Sequence, residues 1–408
     1  METIHTEEFV IYLYFTVILF FCTTVSRAGD PCPPKSELGT CTCNYVRIPT
    51  LHETTLAPIP LRTSTIKPEV DRDLASLTPA HKSTAEEGKN GSLYTEITCK
   101  GSKTITSLEE IIRFALHRKL VDKLVLSSVP ALKEHSLVRL PARWLQNTRI
   151  RQFEIRDTVL SGDFLWYGTP FDGQANTMLW ISAYRCSLYG SLSYEDAGTV
   201  HTKGLNQMPH MEGVDFSLNH LTIIRGSAFR TPPANLSTIL LSRNSLQTIE
   251  ASSFQYVIYL RCIDLSHNLL EIVTRNIFAS PARYLEKIDL SWNFLKSLTQ
   301  DFFVNMPSLK IVDVSKNFLY TMPDKPWAAV WKQLTFLDLS GNFIDCDCNL
   351  LWLLSILSPA AKNATTTPAP TPLPGQIIRG SCFQNSQMPG YYSAEHNLIH
   401  LTRDQLTC

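Results

Sequence analysis

One asparagine register governs what this chain can become. Asn219, Asn244, Asn268, Asn293, Asn317 and Asn342 are separated by 25, 24, 25, 24 and 25 residues. Apolar residues keep fixed offsets from them. Eight before lie Met211, Leu236, Leu260, Leu285, Leu309 and Leu334; two after lie Leu221, Leu246, Leu270, Leu295, Leu319 and Ile344. Five after the first five lie Ile224, Ile249, Val273, Leu298 and Met322, and ten after lie Phe229, Phe254, Phe278, Phe303 and Trp327. Self-similarity at a fixed period marks a stack of identical units. Each unit opens with a short strand; in 262–266, Ile263 and Leu265 point inward and their neighbours outward. The chain then turns at the asparagine, whose amide offers two donors and an acceptor to otherwise orphaned backbone groups. The aromatic ten residues on fills the wider convex side. A single coil cannot bury its apolar face, so stacking is obligatory.

Weaker copies precede the regular block at 124–131, 153–160 and 179–186. They place Val129, Thr158 and Tyr184 where asparagine is expected. The 190–209 stretch is then a large insertion, expected to protrude as a loop. The total is nine strands, a sheet on the order of 40 Å long at about 4.8 Å per strand. Upstream, 107–119 spaces Leu108, Ile111, Ile112, Ala115 and Leu116 on one helical face, with Ser107 and Glu110 as a capping box.

The cysteines gather at the two ends. Cys32, Cys41, Cys43 and Cys99 precede the repeats, and Cys346, Cys348, Cys382 and Cys408 follow them. A solenoid exposes core at each end and needs caps there. Zinc is the rival use of such pairs. Export favours disulfides, and export is what the N-terminus predicts: Phe9 to Val25 is an uncharged apolar run of 17 residues followed by small residues. Basic and acidic side chains number 37 each, which argues against a nucleic-acid binder. The chain divides into a signal peptide over 1–28, an N-terminal cap with a long Thr/Ser/Pro-rich insertion over 29–104, repeats over 105–344 and a C-terminal cap over 345–408.

The LxxLxLxxNxL repeats flanked by cysteine caps, with Cys346-x-Cys348 running into an apolar helix around Trp352, resemble extracellular leucine-rich repeat proteins of the Slit, Toll-ectodomain, chaoptin and trophoblast-glycoprotein kind. The resemblance covers about residues 120–408. It implies an α/β solenoid: a leucine-rich repeat horseshoe with a concave parallel β-sheet and disulfide caps, used for protein binding in adhesion or signalling. Three features depart from the pattern: Phe343 stands where many caps carry proline, 363–374 is a Thr/Pro-rich loop, and 55 residues separate Cys43 from Cys99. The pairing expected in each cysteine group, one of the three that four cysteines allow, is first with third and second with fourth. Cys186 and Cys262 are left over; they are expected to be free thiols, Cys186 in the core and Cys262 just before its strand, available to pair between molecules.

Sequons stand at Asn90, Asn235 and Asn363. Asn235, one residue before inward Leu236, falls on a convex or edge turn, leaving the concave face for a partner. On that face Asp215, Asp264, Asp289, Asp313 and Asp338 form a row, expected to be solvated carboxylates rather than a metal site. The row before each asparagine is more discriminating: Arg243, His267, Trp292 and Lys316 are aromatic and basic hot-spot types and are the expected ligand surface. No GxSxG, HExxH, GxGxxG or phosphate-loop motif occurs, and His396 and His400 lack a partnering glutamate, so neither catalysis, metal nor cofactor is expected. The sequence therefore predicts a protein secreted or held on the extracellular side of the plasma membrane. It would bind another extracellular or cell-surface protein, with no nucleic acid or small-molecule substrate, and would touch the membrane only if the N-terminal segment is retained. The alternatives are the ectodomain of a signalling receptor or a matrix component.

Overall fold

The computed structural model describes Cys32 and residues 38–48, 92–101, 104–133, 135–196, 199–357, 376–384 and 394–408. The signal peptide expected over 1–28, the sequons at Asn90 and Asn363 and the Thr/Ser/Pro-rich stretches lie outside the described residues. No helix among the described residues is long and apolar enough to cross a membrane.

A twelve-stranded sheet runs the length of the coil stack. Nine strands come from the repeats: Leu120–Ser127, Arg149–Arg156, Trp180–Tyr184, Gly213–Asp215, Thr238–Leu240, Cys262–Asp264, Lys287–Asp289, Ile311–Asp313 and Phe336–Asp338. Each pairs in parallel with the next, so corresponding residues of successive coils stand side by side in rows. The caps add three more strands. Cys41–Ile48 and Ser92–Lys100 form an antiparallel pair before the first repeat strand, and Ile377–Arg379 follows the last. Inward residues such as Ile239, Leu241, Ile263, Leu265, Ile288 and Leu290 are buried. On the convex side Phe229, Phe254 and Phe278 form a ladder with ring centroids 5.7 and 6.0 Å apart.

The asparagines do what their chemistry suggests. Asn268 donates through its amide nitrogen to the carbonyls of Leu241, Leu265 and Ser266, each at 3.0 Å, and its oxygen accepts from the Leu246 backbone at 3.0 Å. One side chain thus closes its own turn and clamps the preceding coil. The same pattern recurs at Asn244, Asn293 and Asn317.

Four expectations need correction. Tyr184 does not hold the asparagine place of its coil; Cys186 does. Ser182 pairs with Asp215, and Asn219 lies four residues past Asp215, which puts Cys186 opposite Asn219. The Cys186 thiol donates to the Ile155 carbonyl at 3.2 Å, where Asn219 donates to Ala183, and Asn219 accepts from the Cys186 backbone at 2.9 Å. The 190–209 stretch is not a projecting loop. It contributes Tyr189–Ser193 and Val200–His201 to a second, four-stranded sheet with His220–Ile224 and Thr248–Ile249, because Leu192, Val200 and Leu205 are apolar enough to be buried. The first helix is Ile105–Ala115, with Thr104 at its N-cap and no side-chain cap bond. Ser107 lies inside it, since burial of Ile105 carries the helix three residues further upstream than a capping box at Ser107 would. Finally, Cys186 is free and buried, but Cys262 is disulfide-bonded. Cys262 opens its strand, one residue before inward Ile263, so its side chain lies on the other face of the strand from Ile263, where it is buried.

Both ends are closed by sulfur. Cys32 pairs with Cys43 and Cys41 with Cys99; Cys346 pairs with Cys382 and Cys348 with Cys408. At the C-terminal end the helix Leu351–Leu357 turns Leu353 into the core, beside buried Leu350. Trp352 donates to the Met322 carbonyl at 2.9 Å and meets Trp331 edge-on at 5.3 Å, which seats this helix on the last coils.

Candidate ligand-binding rim

The turn at the asparagine place holds the residue before it in the left-handed region, and does so also at Ser128, Asp157 and Arg185, which precede Val129, Thr158 and Cys186. Leu218, Arg243, His267, Trp292 and Lys316 all have φ of 53–54°, and Gly341 has 68°. Glycine would suit this row, since a side chain there costs roughly 1–2 kcal/mol. The sequence instead places Arg243, His267, Trp292 and Lys316 on four successive coils.

The structure brings these four together. The His267 and Trp292 rings stack with centroids 5.1 Å apart and planes 10° apart, and the Lys316 ammonium lies 5.8 Å from the Trp292 ring centroid. Gly341 makes room for that lysine, since a Cβ there would come within 2.5 Å of its Cδ. Trp292 nevertheless remains 52% exposed. Partial burial, and then the neighbouring charge of Arg243, hold the His267 imidazole below its ordinary pKa and favour the neutral ring that stacks on the indole.

A second aromatic row was missed in the sequence. Phe294, Phe318 and Phe343 each follow an asparagine directly, and their rings stack at 5.6 and 5.7 Å; Tyr320 joins Phe343 at 6.0 Å. Phe294, Tyr320, Leu269 and Ile272 are exposed, so the rim is broadly apolar over the last four repeats. Phenylalanine after asparagine in three consecutive repeats was the available signal.

The floor of the groove differs from expectation. Asp215, Asp289, Asp313 and Asp338 are buried rather than solvated, because parallel stacking packs the row shoulder to shoulder. Each accepts from the backbone of the serine two residues on, at 2.8–3.1 Å. Burial, then the adjacent carboxylates of Asp289 and Asp338, push the Asp313 carboxyl up to about 8. Burial and Asp264 likewise raise Asp289. Among the described residues no group of three or more His, Cys, Asp or Glu gathers as a metal site. His396 lies on the cap strand Ala394–Asn397 and His400 on the following short helix. Asn235 is exposed in a turn one residue before buried Leu236.

Curved parallel coils, an asparagine clamp in each and an apolar interior are now in place. The leucine rich repeat family model matches residues 234–282 and 283–344. These coils are leucine-rich repeats. The match covers the regular block from its second coil onward and leaves out the Asn219 coil and the earlier coils, where Thr158 and Cys186 replace asparagine. No curated protein matches the chain. Leucine-rich repeats indicate a protein-interaction module, whose concave sheet and rim present one long, rigid surface.

Proposed function

We propose that this protein is an extracellular binding module that captures another extracellular or cell-surface protein, in adhesion or ligand recognition, through its concave face and the rim carrying Arg243, His267, Trp292 and Lys316. The observation that carries the reading is the half-exposed Trp292, retained in a left-handed position and stacked between His267 and Lys316. Exposed aromatic and basic side chains on a rigid surface are the residue types that dominate binding energy. The extracellular placement is supported by the four disulfides at the ends, which persist in oxidising compartments, and by the apolar N-terminal run. The test is to crosslink the purified chain to intact cell surfaces, identify the captured protein and compare its affinity for wild type and Trp292→Ala. A loss of roughly tenfold or more is expected. Unchanged affinity in a folded variant removes the rim from the binding surface.

A further inference from the structure

Opposite the rim, at the edge where each strand begins, one row holds both a glycosylation sequon and two exposed tyrosines. Thr238 pairs with Cys262, and Cys262 with Lys287. Three residues upstream of each, the same register aligns Asn235, Tyr259 and Tyr284. Tyr259 is 45% and Tyr284 40% exposed, with rings 5.2 Å apart and tilted by 36°. The Arg261 guanidinium lies 6.0 Å from the Tyr284 ring centroid and is itself held by Glu286 at 2.8 Å, which fixes the far side of the pair. The two rings pack on each other, yet close to half of each stays open to solvent. We propose that Asn235 carries an N-linked glycan whose first sugars pack over Tyr259 and Tyr284, so that this edge is a sugar platform and not a second protein-binding face.

The chemistry is group transfer from a diphosphate-activated sugar donor. The Asn235 side-chain nitrogen forms the N–C bond, the diphosphate leaves and the nitrogen gives up one proton. The glycan then springs from a residue next to Tyr259 in the row, about 5 Å away by strand spacing. An apolar C–H face of a pyranose covers a tyrosine ring while its hydroxyls stay in water. The sequon hydroxyl belongs to Ser237, which is only 7% exposed and lies against the Glu212 carbonyl at 3.2 Å. The sequon is therefore readable only before its coil closes, and the sugar is in place when the tyrosines settle.

The inference rests on the extracellular reading, and the experiment separates the two. The full chain is expressed in a glycosylating secretory host, and occupancy at Asn90, Asn235 and Asn363 is measured by glycopeptide mass spectrometry. Occupancy at Asn235 is expected; an empty Asn235 beside an occupied Asn90 or Asn363 overturns this inference alone, whereas three empty sites overturn export with it. Packing is read on folded protein by trimming the glycan enzymatically to its first sugars and then removing it, a step that leaves aspartate at position 235 in wild type and Tyr259→Ala alike. Trimming is expected to leave Tm unchanged and removal to lower it by about 2 °C, a shift that vanishes in Tyr259→Ala. An equal shift on removal in wild type and Tyr259→Ala, or no shift in wild type, shows a glycan that does not touch the tyrosines.

Discussion

The imidazole of His267 lies flat against the indole of Trp292, 5.1 Å between centroids, although the two residues sit on different coils and both in the left-handed region. Glycine at position 292 relieves the backbone while losing the stack, two effects of about 1 kcal/mol each. Trp292→Gly should therefore melt within about 3 °C of wild type. Leu290→Ala, which empties a fully buried site two residues earlier, costs about 2–5 kcal/mol and serves as the comparison. A Trp292→Gly melt as low as that of Leu290→Ala would make the indole a structural element.

The asparagine clamp yields a steeper expectation. Asn268→Ala leaves the buried Leu246 amide without its acceptor, whereas the carbonyls of Leu241 and Leu265 keep the side-chain amides of Asn244 and Asn293 as donors. An orphaned buried group costs about 1–3 kcal/mol. The variant should lose about 1–3 kcal/mol in urea unfolding, and a smaller loss would mean that water replaces the side chain.

Cys186 should behave as a core thiol. It is fully buried, and burial pushes its thiol well above the ordinary cysteine range. A thiol reagent should label it only as the chain unfolds, with a rate that tracks denaturant. Fast labelling in native buffer would contradict its place in the ladder.

The aspartate row sets a pH dependence. Folding raises Asp313 from the ordinary carboxylate value to about 8, so between those limits the folded chain binds more protons than the unfolded one. The stability this group contributes is full below the ordinary value and is lost as pH rises through about 8. Melting temperature should therefore rise as pH falls from 8 to 5. Asp313→Asn keeps the acceptor for the Ser315 amide and should raise Tm at pH 8 by about 3 °C while flattening the profile. A steeper profile in the variant would reverse the assignment.

The C-terminal cap closes a loop with a sequence separation of 36 between Cys346 and Cys382. Replacing both by alanine should cost about 3–4 kcal/mol in the loop-entropy account. Melts of the paired variant and of wild type under non-reducing conditions provide the check.

Much of this protein follows from nearest-neighbour repetition. The asparagine register and its apolar offsets determined the curved stack, nine repeat strands and the coil positions of Arg243, His267, Trp292 and Lys316, because each coil meets only the coils beside it and the same local pattern solves every junction. Tertiary structure decided what depends on contact across coils. It turned 190–209 into a second sheet and gave Cys186 the clamp position. It also buried the aspartates by packing like beside like, and lined Phe294, Phe318 and Phe343 into a stack. The physical reason is register: a period fixes where a residue lies in its own coil, but only pairing with the next coil fixes what it touches.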